Sequence, residues 1–115
     1  MTLEGKQLIG SQAIEAKGEP IHAVNPATGE TLEPGYKAGS KAEVERACEL
    51  AWAAFDSYRE TGLEARATFL ETIAEEIEAL GDALIERAMQ ESGLPQARLE
   101  GERGRTCGQL RLFAS

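Results

Sequence analysis

The sequence predicts an α+β fragment, a short N-terminal β arm followed by about four α-helices. Three observations carry this expectation. Residues 1–39 contain short, partly β-branched runs bounded by Gly and Pro. From Ser40 the apolar residues recur at three- and four-residue steps. Capping and breaking residues then divide the second part into separate helices.

In the arm, "KQLI" (Lys6 to Ile9) and "IHAV" (Ile21 to Val24) read as the two strands of a hairpin, with "GSQAIEAKGEP" between them. A third extended piece is expected in "TLEPGYKAG". Pro34-Gly35 interrupts it, which suits an edge position. The stretch "NPATGE" (Asn25 to Glu30) reads as a compact reversal. Pro26 presets φ, Gly29 takes a conformation costly for other residues, and Asn25 and Thr28 bond the local backbone.

The helices follow in order. "SKAE" fits a capping box at Ser40 and Glu43. Val44, Ala47, Cys48, Ala51, Trp52 and Phe55 then form one apolar stripe, with Lys41, Glu45, Glu49 and Asp56 largely elsewhere. A second box, "TGLE" (Thr61 to Glu64), opens a helix with the stripe Leu63, Ala67, Leu70, Ile73, Ala74, Ile77 and Leu80. Gly81-Asp82 reads as a stop followed by an N-cap. Leu84, Ile85, Ala88 and Met89 give a third helix its apolar face, with Gly93 at its C′ position. Pro95 suits the first turn of a fourth. No internal repeat or linker appears. The organisation is thus a β arm over 1–39 and a helical segment over 40–115. The apolar "LRLFAS" end suggests a part of a longer chain, because Leu110, Phe113 and Ala114 need a packing surface.

Composition narrows the function. The chain has 115 residues, 42% hydrophobic and 28% charged, enough for one small core. Its net charge is −8, from 20 acidic and 12 basic residues, so no basic stripe is present for nucleic acid. No apolar run is long enough to cross a bilayer, and "MTLEGKQLIG" lacks a signal-peptide pattern. Cys48 and Cys107 are therefore expected as reduced thiols of a cytoplasmic protein.

A catalytic constellation is harder to find. With one histidine and two isolated cysteines, a metal site is not expected, and His22 reads as a strand side chain. No glycine-rich phosphate loop is recognisable. Arg103, Arg105 and Arg111 lie near Cys107 in sequence, and positive charge lowers a thiol pKa, so a reactive thiol is one reading. The favoured one makes Cys107, and likewise Cys48, a small apolar residue on a buried helix face, since no partner base is identifiable. Gly101, Gly104 and Gly108 mark either close approach of another backbone or a bend. Glu100, Glu102, Arg103 and Arg105, and the carboxylates Glu71, Glu75, Glu76 and Glu78, read as solvated faces. No residue is assigned a catalytic, cofactor-binding or metal-binding role.

"VNPATGE" closely resembles the first motif of the aldehyde dehydrogenase superfamily. "EVERACELAWAAFDSYRE", "RATFLETIAEEIEALGDALIERAMQESGLP" and "RLEGERGRTCGQLRLFA" resemble, in order, that family's next helices. The resemblance covers essentially the whole chain. "TLEPGYKAG" and "ESGLP…GERGRT…QLRLFA" are similar to the branch with α-ketoglutaric semialdehyde (2,5-dioxopentanoate) dehydrogenases and an NADP-dependent fatty aldehyde dehydrogenase, the semialdehyde enzymes being favoured.

The resemblance implies a longer, oligomeric enzyme with a Rossmann-like cofactor domain, on which residues 40–115 would pack. It implies a thiolate that attacks an aldehyde, hydride transfer to NAD or NADP, and a glutamate-activated water that releases the acid. Those family groups lie downstream of the matched region, so these 115 residues alone are expected to bind no cofactor and to be inactive. The expected partners are the remainder of the polypeptide, an aldehyde substrate and further copies of the chain; nucleic acid and membrane are not expected. The alternative is a stand-alone acidic helical interaction module whose apolar stripes bind a partner helix.

Overall fold

A computed structural model describes all residues, Met1–Ser115. The order is four strands and then four helices: β1 Gln7–Ile9, β2 Gln12–Ile14, β3 Pro20–Val24, β4 Thr31–Lys37, α1 Lys41–Arg59, α2 Leu63–Ala79, α3 Gly81–Ser92 and α4 Gln96–Ala114. The α+β class is as expected.

Strand pairing differs from expectation. "KQLI" does not pair with "IHAV". Instead β1 pairs antiparallel with β2, Leu8 opposite Ala13, across a tight turn at Gly10-Ser11. β2 lies in the stretch read as a connection. β3 pairs antiparallel with β4, from Val24 opposite Thr31 to Pro20 opposite Lys37. Each strand therefore pairs with one adjacent to it in sequence, across a short loop with a small closure cost. The third extended piece is real, and in a two-stranded sheet every strand is an edge, so Pro34 is accommodated.

Helix ends also depart in detail. At Ser40 the Glu43 carboxylate accepts from the Ser40 backbone N–H at 2.8 Å and from its hydroxyl. The second expected box does not form. Gly62, not Thr61, is the N-cap of α2, with no side-chain cap bond. Asp82 is no cap either. α2 ends at Ala79, and α3 starts one residue after the Leu80 cap, so Asp82 lies in the first turn of α3. There its charge complements the helix dipole. Gly93 caps α3 in the left-handed conformation with φ 73°, its N–H donating to the Met89 carbonyl at 2.8 Å. Pro95 is the N-cap of α4, one residue before the helix proper.

The chain divides into two compact units. One contains residues 2–24 and 31–60, with Ala16 and Leu32 buried. Its α1 meets the first hairpin through Leu50, whose Cδ1 would lie 3.0 Å from a Cβ placed on Gly10. The other contains residues 25–30 and 61–115. Its centre is Ala74 of α2, Ile85 of α3 and Cys107 of α4, exposed by 0%, 4% and 1%. α4 packs against both α2 and α3. No helix is long and apolar enough to cross a membrane.

Candidate functional site

The Asn25–Glu30 reversal has the geometry its residue types demand. The Asn25 N–H donates to the Glu30 carbonyl at 2.8 Å, closing the loop. The Gly29 N–H donates to the Asn25 carbonyl at 2.7 Å. The Asn25 side-chain oxygen accepts from the Ala27 N–H at 2.9 Å, and the Thr28 hydroxyl from the Glu30 N–H at 3.2 Å. Gly29 has φ 77°, the left-handed region where a Cβ is strained. Pro26 lies against Gly93, so that a Cβ there would meet the Pro26 Cγ at 2.9 Å. The turn thus satisfies its own backbone and rests on the end of α3 through one proline.

The residues with chemical potential do not converge. His22 sits in β3, as expected for a strand side chain. Its Nε2 is 3.3 Å from the Glu33 carboxylate, and its ring fills the space a Cβ on Gly35 would need. Cys107 is buried, and its Sγ–H donates weakly to the Ala74 carbonyl at 3.6 Å. A carbonyl holds a thiol in place but takes no proton from it, so the packing reading of Cys107 fits. Cys48 is the correction. It is exposed, because the whole predicted stripe of α1 faces outward: Val44 is 60%, Trp52 85% and Phe55 62% exposed. No three His, Cys, Asp or Glu side chains gather in metal-ligating geometry.

Among the charged groups, Gln96–Glu100 and Arg98–Glu102 pair along α4, both at 2.9 Å, which is the self-paired surface expected. Arg103 instead donates to the Gly81 carbonyl at 3.1 Å, tying α4 to the start of α3. Glu78 also departs from expectation. Its carboxylate accepts two bonds from Arg111, at 2.7 and 2.9 Å. This fork-to-fork pair holds Glu78 below its ordinary range and Arg111 above its own. The two residues are 33 positions apart, so no short-range spacing signals the pair.

The three glycines of α4 resolve into neither expected alternative. The helix runs unbroken through Gly101, Gly104 and Gly108, and a Cβ on any of them would meet open space. The larger surface depressions are also open. One of about 560 Å³ lies beside Lys17, Ala38 and Ser40, and one of about 550 Å³ runs along Val44, Cys48 and Trp52. In the first, the Ser40 hydroxyl meets the Glu43 carboxylate as part of the α1 cap; in the second, Cys48 lies on the exposed surface of α1 beside Glu45 and Glu49.

Comparison with known proteins supplies what the geometry does not. Residues 13–115 match the aldehyde dehydrogenase family. Alpha-ketoglutaric semialdehyde dehydrogenase 2 of Azospirillum brasilense is 58% identical over 115 residues, covering 99% of this chain and 22% of that protein. Alpha-ketoglutaric semialdehyde dehydrogenase of Acinetobacter baylyi is 43% identical over 110 residues, 96% of this chain and 21% of that protein. The chain thus spans about a fifth of the length of these curated relatives.

Proposed function

The chain belongs to the aldehyde dehydrogenase family, and on that premise we propose that it is the N-terminal part of an enzyme that oxidises α-ketoglutaric semialdehyde to its carboxylic acid with NAD or NADP. The observation that carries this reading is the 58% identity, sustained over the whole chain, to a dehydrogenase named for that substrate. Within this part the residues do structural work. The Asn25–Glu30 turn is self-satisfied, and the helices offer surfaces on which a cofactor domain packs.

In this reading the nicotinamide dinucleotide is held by later segments of the chain. Both sheets are antiparallel pairs, so there is no parallel strand–loop–helix unit to bring a helix N-terminus to a pyrophosphate. The nucleophilic thiol, the base and the cofactor loops then belong to later segments, and the 115 residues alone are inactive. The complete enzyme is a cytoplasmic homo-oligomer in this reading. Two unpaired thiols and the lack of a membrane-crossing helix are compatible with that.

The test is expression of the complete reading frame and of residues 1–115 side by side, following NAD(P)H formation. The full product should turn over α-ketoglutaric semialdehyde with a higher kcat/KM than an aliphatic aldehyde. The short chain should give none. A reading frame that closes after Ser115, or a full product without aldehyde-dependent reduction, overturns the proposal. The exposed α1 stripe would then favour the interaction-module reading.

A further inference from the structure

We propose that the Asn25–Glu30 turn is a strap over the α3–α4 elbow. Pro26, seated on Gly93, holds the elbow closed, and its release lets the first part of α4 open while α4 stays on its core from Arg103 onward. Every group involved lies within one compact unit, so the proposal stands or falls apart from the enzyme reading.

The turn is built as a rigid piece. Its backbone closes on itself, the Asn25 N–H donating to the Glu30 carbonyl and the Gly29 N–H to the Asn25 carbonyl. The Asn25 and Thr28 side chains complete the closure. These polar groups bond within the turn, and what it brings to the end of α3 is the apolar Pro26 ring. That ring occupies the place of a side chain on Gly93: a Cβ there would lie 2.9 Å from the Pro26 Cγ and 3.8 Å from its Cβ. Contacts group the turn with α2, α3 and α4, not with the strands that flank it in sequence.

The elbow is three residues long, Gly93, Leu94 and Pro95. Gly93 reverses the chain at φ 73°, and the Ser92 hydroxyl accepts from the Leu94 N–H at 3.2 Å. The Pro95 carbonyl then accepts from the Arg98 and Leu99 N–H groups. These bonds join near neighbours, so they do not fix how the first turns of α4 lie on the unit. Farther along, α4 is tied across the bundle, Arg103 to the Gly81 carbonyl and Arg111 to Glu78. Before Arg103, the pairs Gln96–Glu100 and Arg98–Glu102 run along α4 itself. A helix tied at one end and strapped at the other opens locally from the strapped end once the strap is lost.

The test is amide hydrogen exchange of the complete protein, read by mass spectrometry. Pro26→Ala should speed exchange over residues 89–102 at least about tenfold and leave residues 103–114 unchanged. Unchanged exchange over 89–102, or an equal rise over both segments, overturns the strap. In the wild type, rising urea should release exchange over 96–102 before 103–114. Release of both at one concentration overturns it without any variant. A double-mutant cycle reads the seating itself. Gly93→Ala should lower Tm less in a Pro26→Ala background than in wild type, because the ring that a Cβ would strike is gone. Additive losses overturn the contact.

Discussion

α1 and α4 are equally long, 19 residues each, and their fates are opposite. α1 carries a clean apolar stripe and a formed cap at Ser40, yet buries no residue. α4 is interrupted by three glycines and has the weaker pattern, yet it holds the most buried side chain of the helical unit after Ala74. Periodicity states that a face exists. Burial depends on whether a matching surface is within reach. α4 finds one because Ala74 and Cys107 are small enough for close helix approach, and because Arg103 and Arg111 reach Gly81 and Glu78. Nothing comparable meets the stripe of α1.

The largest contrast should be kinetic. In the 115-residue chain Cys48 should react promptly with a thiol reagent, and Cys107 at least about a hundredfold more slowly, limited by opening of the helices. Two thiols reacting at one rate would erase the distinction. Next is stability. Ile85→Ala should cost about 2–5 kcal/mol in urea unfolding, whereas Val44→Ala, at an exposed site, should stay within about 0.5 kcal/mol. Equal losses would mean that α1 is packed after all.

Glycine changes sharpen the comparison within the helical unit. Gly93→Ala combines a left-handed φ with contact against Pro26, and should cost about 1–3 kcal/mol. Gly29→Ala has the same kind of φ with open space around it, and should cost only about 1 kcal/mol. Gly104→Ala should stabilise the chain slightly, by up to about 1 kcal/mol, since α4 is continuous and open there.

The smallest effect concerns Glu78. Bonding to Arg111 lowers its pKa in the folded chain from an ordinary 4.5. Its contribution to stability is therefore complete above that value and disappears as pH falls through the lower, folded one. The Tm difference between wild type and Glu78→Gln should be constant near neutrality and close at acid pH. A difference that persists below the folded pKa would assign the effect to packing.

Much of the fold was legible from local chemistry. The Asn25–Glu30 turn, the cap at Ser40, the left-handed Gly93 and the four helices rest on interactions among residues a few positions apart. Those interactions are encoded by residue type and spacing. The expected pairing of β1 with β3 failed because short β-branched runs carry no register of their own, and each strand paired with one adjacent to it in sequence. Thr61 failed as a cap because α2 starts one residue later, at the Gly62 cap, and the short Leu80-Gly81 break left Asp82 inside the first turn of α3.

By itself, then, the sequence determined where the helices lie, which faces are apolar and to which family the chain belongs, because periodicity, capping chemistry and ordered motifs are local or cumulative along the chain. Tertiary structure alone decided which of two similar cysteines is buried, that Glu78 has a partner 33 positions away, and that the glycines of α4 face open space. Those outcomes depend on which surfaces meet across long separations, and contact of that kind leaves no mark in the spacing of either partner.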